Sequence, residues 1–383
     1  MLVRSRALTA CAAVTLAAAA GGCTTTTTTP SVNSGTLSVY LSVPPGQHSS
    51  ETQDVLSAER LAFQQAGAQV AKFKIKLVQF QGAKLSDTAR QAIGDGSTIA
   101  YIGEIAPGTS EQTIGITNGE DILQVSPTDT AVEETQSTPA ISNSPNRYYE
   151  SLSTNNRTFA RVVPTDALEA KALVAEMQAR GVKELYVVSD GSAYGNALAY
   201  AVKTDAAPAI TIASSPQAAQ AAFYAGSSTS GAAALFNQVA QANPTVKLFA
   251  PSALYDAAFV SALSAAAQRN LIVSSPGFTA SDLTAQGKQF VSAFQTAYRH
   301  APAPQAIFGY EAMAAVMAVL HNLGSSAGSR SNMVHAFFKI RNRASVLGTY
   351  SINSNGDTSI APFIFSRVKA GALAPYKAVQ EQG

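Results

Sequence analysis

The chain has 383 residues, with 26 Lys and Arg against 24 Asp and Glu, a net charge of +2, and only 13% charged residues. No dense Lys/Arg run is present, so the electrostatic footprint of a nucleic-acid binder is missing. At this length, with 46% hydrophobic residues, the chain can bury a core in each of two domains without covalent staples.

Arg4 and Arg6 precede an Ala-rich apolar run from Ala7 to Ala20, and Ala20-Gly21-Gly22 leads directly into Cys23. A basic start, a short apolar core and small residues before a cut describe a secretory signal over residues 1–22, too short to span a membrane. A cysteine immediately after the small residues resembles the lipobox of bacterial lipoproteins, in which the sulfur is diacylated and becomes the mature N-terminus. The other reading is an ordinary signal with a chance cysteine. Thr24–Thr29 and Pro30 follow as a tether, assigned to residues 23–35. Cys11 lies inside the signal, so the mature chain keeps Cys23 alone and no intramolecular disulfide is expected. No later stretch approaches about 20 uninterrupted apolar residues. The expected location is the cell envelope, outside the cytoplasm, with attachment to the membrane through lipid only.

After the tether, strand-like apolar runs alternate with helical patterns, which predicts α/β units with parallel sheets. Leu37–Leu41, Ile75–Gln79, Thr98–Gly103 and Ile122–Val125 read as four strands. Between the first two, Val55, Ala58, Leu61 and Ala62 share one helical face in a segment starting near Asp54 and ending near Gly67. The alternation restarts after Ser151–Arg157. Pro164-Thr165-Asp166 opens a helix stopped by Gly181, and Glu184–Val188, Leu248–Ala250 and Leu271–Val273 follow as strands. A long helical section begins near Ala280. The end reads as a β-hairpin of Gly348–Ser351 with Ala361–Val368, turning at Asn355-Gly356-Asp357. Two α/β halves joined by more than one crossing place ligand contacts at the loops after the carboxyl ends of the strands.

Catalytic signatures are absent. His48, His300, His321 and His335 are far apart, with no HExxH and no cysteine to complete a metal set, so neither metal nor cofactor is expected. There is no Walker loop, no GxGxxG after the first strand and no GxSxG elbow, since Ser192 directly follows Gly191 in Gly191-Ser192-Ala193-Tyr194-Gly195. No pair of carboxylates stands out along the chain as general acid and base. The chain is therefore read as no enzyme. Three constellations remain that could bind a ligand. In Gly103–Glu111, a strand end turns into a helix start, where Thr109 or Ser110 can cap and free N–H groups attract an anion. Simple capping without a ligand gives the same pattern. Thr128 and Thr130, stiffened by Pro127, stand beside that loop, and Tyr194 and Tyr255 hold the matching places in the second half as either packing residues or ligand walls.

Tyr101-Ile102-Gly103-Glu104, Gln124-Val125-Ser126-Pro127, Phe159-Ala160-Arg161-Val162-Val163-Pro164, Tyr194-Gly195, Gly309-Tyr310-Glu311-Ala312 and Leu347-Gly348-Thr349-Tyr350 with Asn355-Gly356-Asp357 occur in one order. In that order they resemble the type I periplasmic-binding-protein fold of the branched-chain amino-acid (Leu/Ile/Val) type, the extracytoplasmic receptor of an ABC importer. The resemblance covers nearly all of residues 36–378. It implies two Rossmann-like lobes joined by a three-strand hinge, lobe 1 from 36–155 and 281–342, lobe 2 from 156–280 and 343–378. It also implies a monomer that takes a small polar or carboxylated solute between the lobes and delivers it to a membrane permease. By position, Pro107, Thr109, Ser110, Thr128 and Thr130 would hold a carboxylate from lobe 1, and Tyr194 and Tyr255 would close from lobe 2. Three positions depart from the family. Pro107 stands where a hydroxyl is usual, Gln79-Phe80-Gln81 lacks an acidic residue, and Ser274-Ser275-Pro276-Gly277-Phe278 lacks the acid that partners an α-ammonium. The alternative on the same fold is an envelope lipoprotein acting as a sensor or protein-binding regulator.

Overall fold

The structure is a computed structural model that describes residues 31–32, 34–149 and 156–381. The signal, Cys23 and Thr24–Thr29 lie outside the described residues.

Two sheets form two lobes. The first contains β1 (Thr36–Ser42), β2 (Gln69–Val70), β3 (Phe73–Phe80), β4 (Thr98–Ile102), β5 (Leu123–Ser126) and β6 (Phe159–Arg161) in the order β2-β3-β1-β4-β5-β6. All pairs are parallel except β2 with β3. Helices cover both faces, so β4 and β5 are buried along their whole length and read as continuous apolar runs rather than alternating ones. The helices of this lobe are α1 (Ser50–Ala66), α2 (Leu85–Gly94) and α3 (Ile114–Gly119). Ser49 caps α1 by accepting from Thr52 N, which starts the helix four residues before the predicted Asp54.

The second lobe begins with α4 (Asp166–Ala179), whose expected stop at Gly181 is met by a positive φ of 73°. It continues through β7 (Glu184–Ser189), α5 (Ala193–Ala206), β8 (Thr211–Ile212), β9 (Ala221–Ala225), α6 (Thr229–Ala242), β10 (Lys247–Ala250), α7 (Ala257–Ser261), α8 (Ala265–Asn270) and β11 (Leu271–Pro276). The chain then returns to lobe 1 with α9 (Ala285–Tyr298), α10 (Ala306–Leu323), α11 (Arg330–Phe338) and the ribbon β12 (Arg343–Ser345) and β13 (Gly348–Tyr350). It ends in lobe 2 with β14 (Pro362–Lys369) and β15 (Ala372–Gln380), and that sheet runs β15-β14-β11-β10-β9-β7-β8.

Two expectations change. Gly348–Tyr350 and Pro362–Lys369 do not form one hairpin, because β13 pairs with β12 and β14 pairs with β15 and β11. The Asn355-Gly356-Asp357 turn exists, closed by Asn353 N on Asp357 O, but it joins two sheets rather than two neighbouring strands. The boundaries at 155/156 and 342/343 also move. β6 pairs with β5, and Val346, Leu347, Tyr350 and Ile352 bury against the same core as α1, α9 and α10. Three crossings therefore lie near residues 162–165, 277–284 and 353–361.

α10 is apolar enough by length and composition to cross a membrane, yet two thirds of it is buried inside lobe 1. Its Phe308, Met313 and Val316 pack with Val55 and Leu61 of α1, so it is a core helix. At the opposite end from the crossings, Ser31 bridges Ser329 and Val32 N donates to Gly328 O at 2.7 Å. Beside them, Arg330 Nε donates to Thr98 O at the start of β4.

Candidate functional site at the interlobe face

The carboxyl ends of β4 and β5 carry the loops that meet lobe 2. Ser126 Oγ donates to Glu104 O at 2.7 Å and accepts from Asp129 N, and Thr128 Oγ1 donates to Ile105 O at 2.6 Å. These bonds lock the two loops side by side. Gly108 N and Ser110 N, amides of the kind expected to hold a solute carboxylate, instead donate to Asp129 Oδ1 and Oδ2 at 2.6 and 2.8 Å. Ala131 N adds a third donor at 3.1 Å. Charge-assisted bonds of this type contribute roughly 1.5–3 kcal/mol each. The chain has placed its own carboxylate on the loop's anion position.

The remaining predicted residues divide. Thr109 Oγ1 donates back to Ala106 O, Ser110 Oγ accepts from Glu104 N, and Pro107 is half-buried at the loop's tip. Thr130 Oγ1 and the Tyr194 hydroxyl are buried and have no hydrogen-bond partner. Tyr194 begins α5 on lobe 2 and meets the lobe 1 loop directly. Gly108 has φ +77°, and a Cβ there would fall 2.7 Å from Tyr194 Cβ. Only glycine permits that approach. Tyr255 stands apart, accepting from Ser366 Oγ at 3.3 Å within its own lobe. Pro107, Thr109, Ser110, Thr128, Thr130 and Tyr194 are therefore brought to one face, which is closed on itself, and Tyr255 is turned toward β14.

Acidic residues scattered through the sequence converge here. Asp129, Glu133, Glu134, Asp166, Glu169 and Asp357 are all at most 4% exposed, and Arg161 is the fully buried cation among them. Arg161 donates to Asp129 O at 2.7 Å and Ala131 O at 2.8 Å, with Asp357 Oδ1 3.2 Å from its Nε and Glu134 Oε2 3.5 Å from its Nη2. Gly356, at φ +94° with Phe159 O 2.3 Å from where a Cβ would sit, brings Asp357 against Arg161. Asp166 Oδ1 accepts from Val132 N at 3.0 Å, and Asp166 N donates to Thr130 O. Its Oδ2 has no partner, and neither has Glu133 Oε2. Each such buried, unsatisfied oxygen costs about 1–3 kcal/mol or more.

The carboxyl pKa values reflect this. Burial pushes Glu133 up to about 7, with the charge of Asp129 adding to the rise. Burial likewise raises Asp166 and Glu134, reinforced by Glu133 for the first and Asp129 for the second. Glu169 is raised by burial against the bonds it accepts from Ser274 Oγ, Ser252 Oγ and Ser252 N. Glu169 thus reaches over from α4 to Ser274, within β11. Glu104, buried behind the loop, accepts from Ser42 Oγ and the Tyr101 hydroxyl, both at 2.6 Å, and burial lifts it to about 7. Among the described residues no group of His, Cys, Asp and Glu has the arrangement of a metal site.

No protein-family model matches the chain, and no curated protein matches it. Solved structures do. A leucine-binding protein LivK from Thermotoga maritima superposes with a TM-score of 0.75 at 18% identity, over 90% of this chain and 98% of that one. An ABC transporter substrate-binding protein from Desulfitobacterium hafniense in complex with Leu gives 0.69 at 18% identity, over 89% and 100%. A solute-binding protein of an ABC transporter from R. palustris in complex with benzoate gives 0.70 at 18% identity, over 91% and 97%. The chain has the fold of these proteins, the two-lobed type I periplasmic-binding fold. Its likeness to them is a likeness of architecture across both lobes.

Proposed function

We propose that this protein is a lipid-anchored, extracytoplasmic solute-binding protein that captures a small organic solute between its lobes and hands it to an ABC permease. One observation carries the reading: the face where the lobes meet holds buried Thr130, Glu133, Asp166 and Tyr194 atoms without partners, drawn from both lobes. Buried polar atoms left unpaired call for a partner, and a bound molecule that supplies the bond is one. The substrate-binding proteins named above share the architecture, and the lobe-joining crossings provide the hinge that lets a solute enter and be enclosed. Binding without chemistry fits a site whose carboxyl groups are held against serines, amides and one arginine.

A thermal-denaturation screen of amino acids, amides, amines and aromatic acids tests the reading. A solute at a hundred times its Kd adds about 2.7 kcal/mol of stability. If a broad panel leaves the transition unmoved, and scattering detects no change in lobe separation, solute capture is refuted. The anchor is tested separately by Cys23→Ala, which moves the protein from the membrane fraction to the soluble fraction if Cys23 carries the lipid. The closed face also favours a second reading, a sensor or regulator that binds another protein. Val132 and Ile141 of the first lobe's loops pack on Ala197 of α5, and Asp129 already fills the anion position. A partner pulled down from the envelope by a protein that binds no solute distinguishes it.

A further inference from the structure

Carboxyl groups outnumber cations at the interlobe face. Six buried ones, Asp129, Glu133, Glu134, Asp166, Glu169 and Asp357, gather there with the fully buried guanidinium of Arg161. That guanidinium is committed to one side of the cluster, through Asp129 O, Ala131 O, Glu134 and Asp357. Among the described residues, nothing positive reaches the other side in hydrogen-bond contact. There, Glu133 Oε2 and Asp166 Oδ2 are without partners, as are Thr130 Oγ1 and the Tyr194 hydroxyl, on residues 1%, 0%, 0% and 3% exposed. The hydroxyl of Tyr194 is held among these acids. Burial and then the charges of Glu169, Asp166, Glu133 and Asp129, in that order, push its pKa up.

The same face is poorly suited to an anion. The loop amides of Gly108 and Ser110 are already taken by Asp129, so a carboxylate arriving from solution finds those donors occupied and faces a cluster of buried carboxyl groups. We propose that the solute is a small organic cation, a primary amine or guanidine without a carboxylate, whose charged nitrogen sits between Glu133 of the first lobe and Asp166 and Tyr194 of the second. This inference rests on the solute-binding reading and narrows its ligand class. A primary ammonium with three N–H donors, or a guanidinium with more, pairs both orphaned carboxyl oxygens and leaves a further donor for a hydroxyl. Because the partners come from both lobes, the cation itself draws the lobes together. Entry requires them to part, since Gly108 seats on Tyr194 in the closed form.

The test is calorimetric titration of the full chain in detergent with two panels of matched size. One holds agmatine, putrescine, phenethylamine and isoamylamine, and the other holds isovalerate, benzoate and leucine. Binding within the amine panel is expected, weakened at least 30-fold in Glu133→Gln/Asp166→Asn. That double variant removes like-charge repulsion, so it is expected to melt no lower than the parent above pH 7, and lost binding will not reflect lost folding. Binding by isovalerate, benzoate or leucine with none by the amines overturns the cation assignment while leaving solute capture standing. Amine binding that the double variant does not weaken overturns the assigned residues and the proposal with them. Silence from both panels, together with silence in the broader thermal screen, overturns the solute-binding reading and this inference together.

Discussion

Glu104 offers a quantitative test of how the interlobe loops are held. Its carboxyl is fully buried behind the β4 loop and accepts from two hydroxyls, and among the described residues no cation pairs with it. Burial raises its pKa from 4.5 to about 7, partly offset by the Ser42 and Tyr101 hydrogen bonds. A carboxyl whose folded pKa exceeds its unfolded one binds its proton more tightly in the native state. Its contribution to stability is complete below about pH 4.5 and is lost as pH rises through about 7. The difference of about 2.5 units, at about 1.4 kcal/mol per unit, amounts to about 3 kcal/mol at pH 8. Glu104→Gln keeps the neutral, hydrogen-bonding shape at every pH, because the two hydroxyls can reorient to donate to its oxygen and accept from its amide. In urea denaturation the variant should match the parent near pH 4.5 and exceed it by about 1–3 kcal/mol at pH 8. A variant that is destabilised by the same amount across that range would show that Glu104 is ionised in the native state, and the reasoning would fail.

Other outcomes follow from the same contacts. Arg161→Met leaves buried carboxylates and carbonyls without their cation and should cost about 3–5 kcal/mol at neutral pH, measured by urea denaturation. Gly108→Ala sets a Cβ 2.7 Å from Tyr194 Cβ on a backbone of φ +77°. It should cost about 1–3 kcal/mol and enlarge the radius of gyration by small-angle scattering, as the lobes are wedged apart. Asp129→Ala frees the amides of Gly108 and Ser110, destabilising the loop by about 2–4 kcal/mol, and should let carboxylates such as isovalerate bind where the parent does not, by calorimetry.

Much of the scaffold is legible in the sequence because parallel, doubly covered strands leave unbroken apolar runs. Thr98–Gly103, Leu248–Ala250 and Leu271–Val273 lie within one to three residues of their strands. The late hairpin was misleading because a correct turn at Gly356 says nothing about which sheets its flanks join. The site was less legible. Pro107–Ser110 and Thr128–Thr130 are visible as loops after strands, but which carboxylate would occupy them is not. Asp129, Asp166 and Asp357 are far apart in sequence and meet only through the crossings. A local signal is Glu133-Glu134, adjacent acids in a chain with few charges, four residues after Asp129 in the same loop. A pair of that kind between a buried strand and a crossing is reason to look for buried carboxyl groups.

The docking of Ser31 beside Gly328 and Ser329 has a geometric consequence. Ser31 lies eight positions after Cys23, and eight residues at full extension span at most about 29 Å. The contact is at the starts of the lobe 1 strands, whereas the interlobe face is at their ends. An acylated Cys23 would therefore hold the molecule by its heel, with the interlobe face pointing away from the bilayer when the body stands upright. Presenting that face to a membrane partner means lying down on one flank, and lengthening the Thr run should make that posture easier to reach.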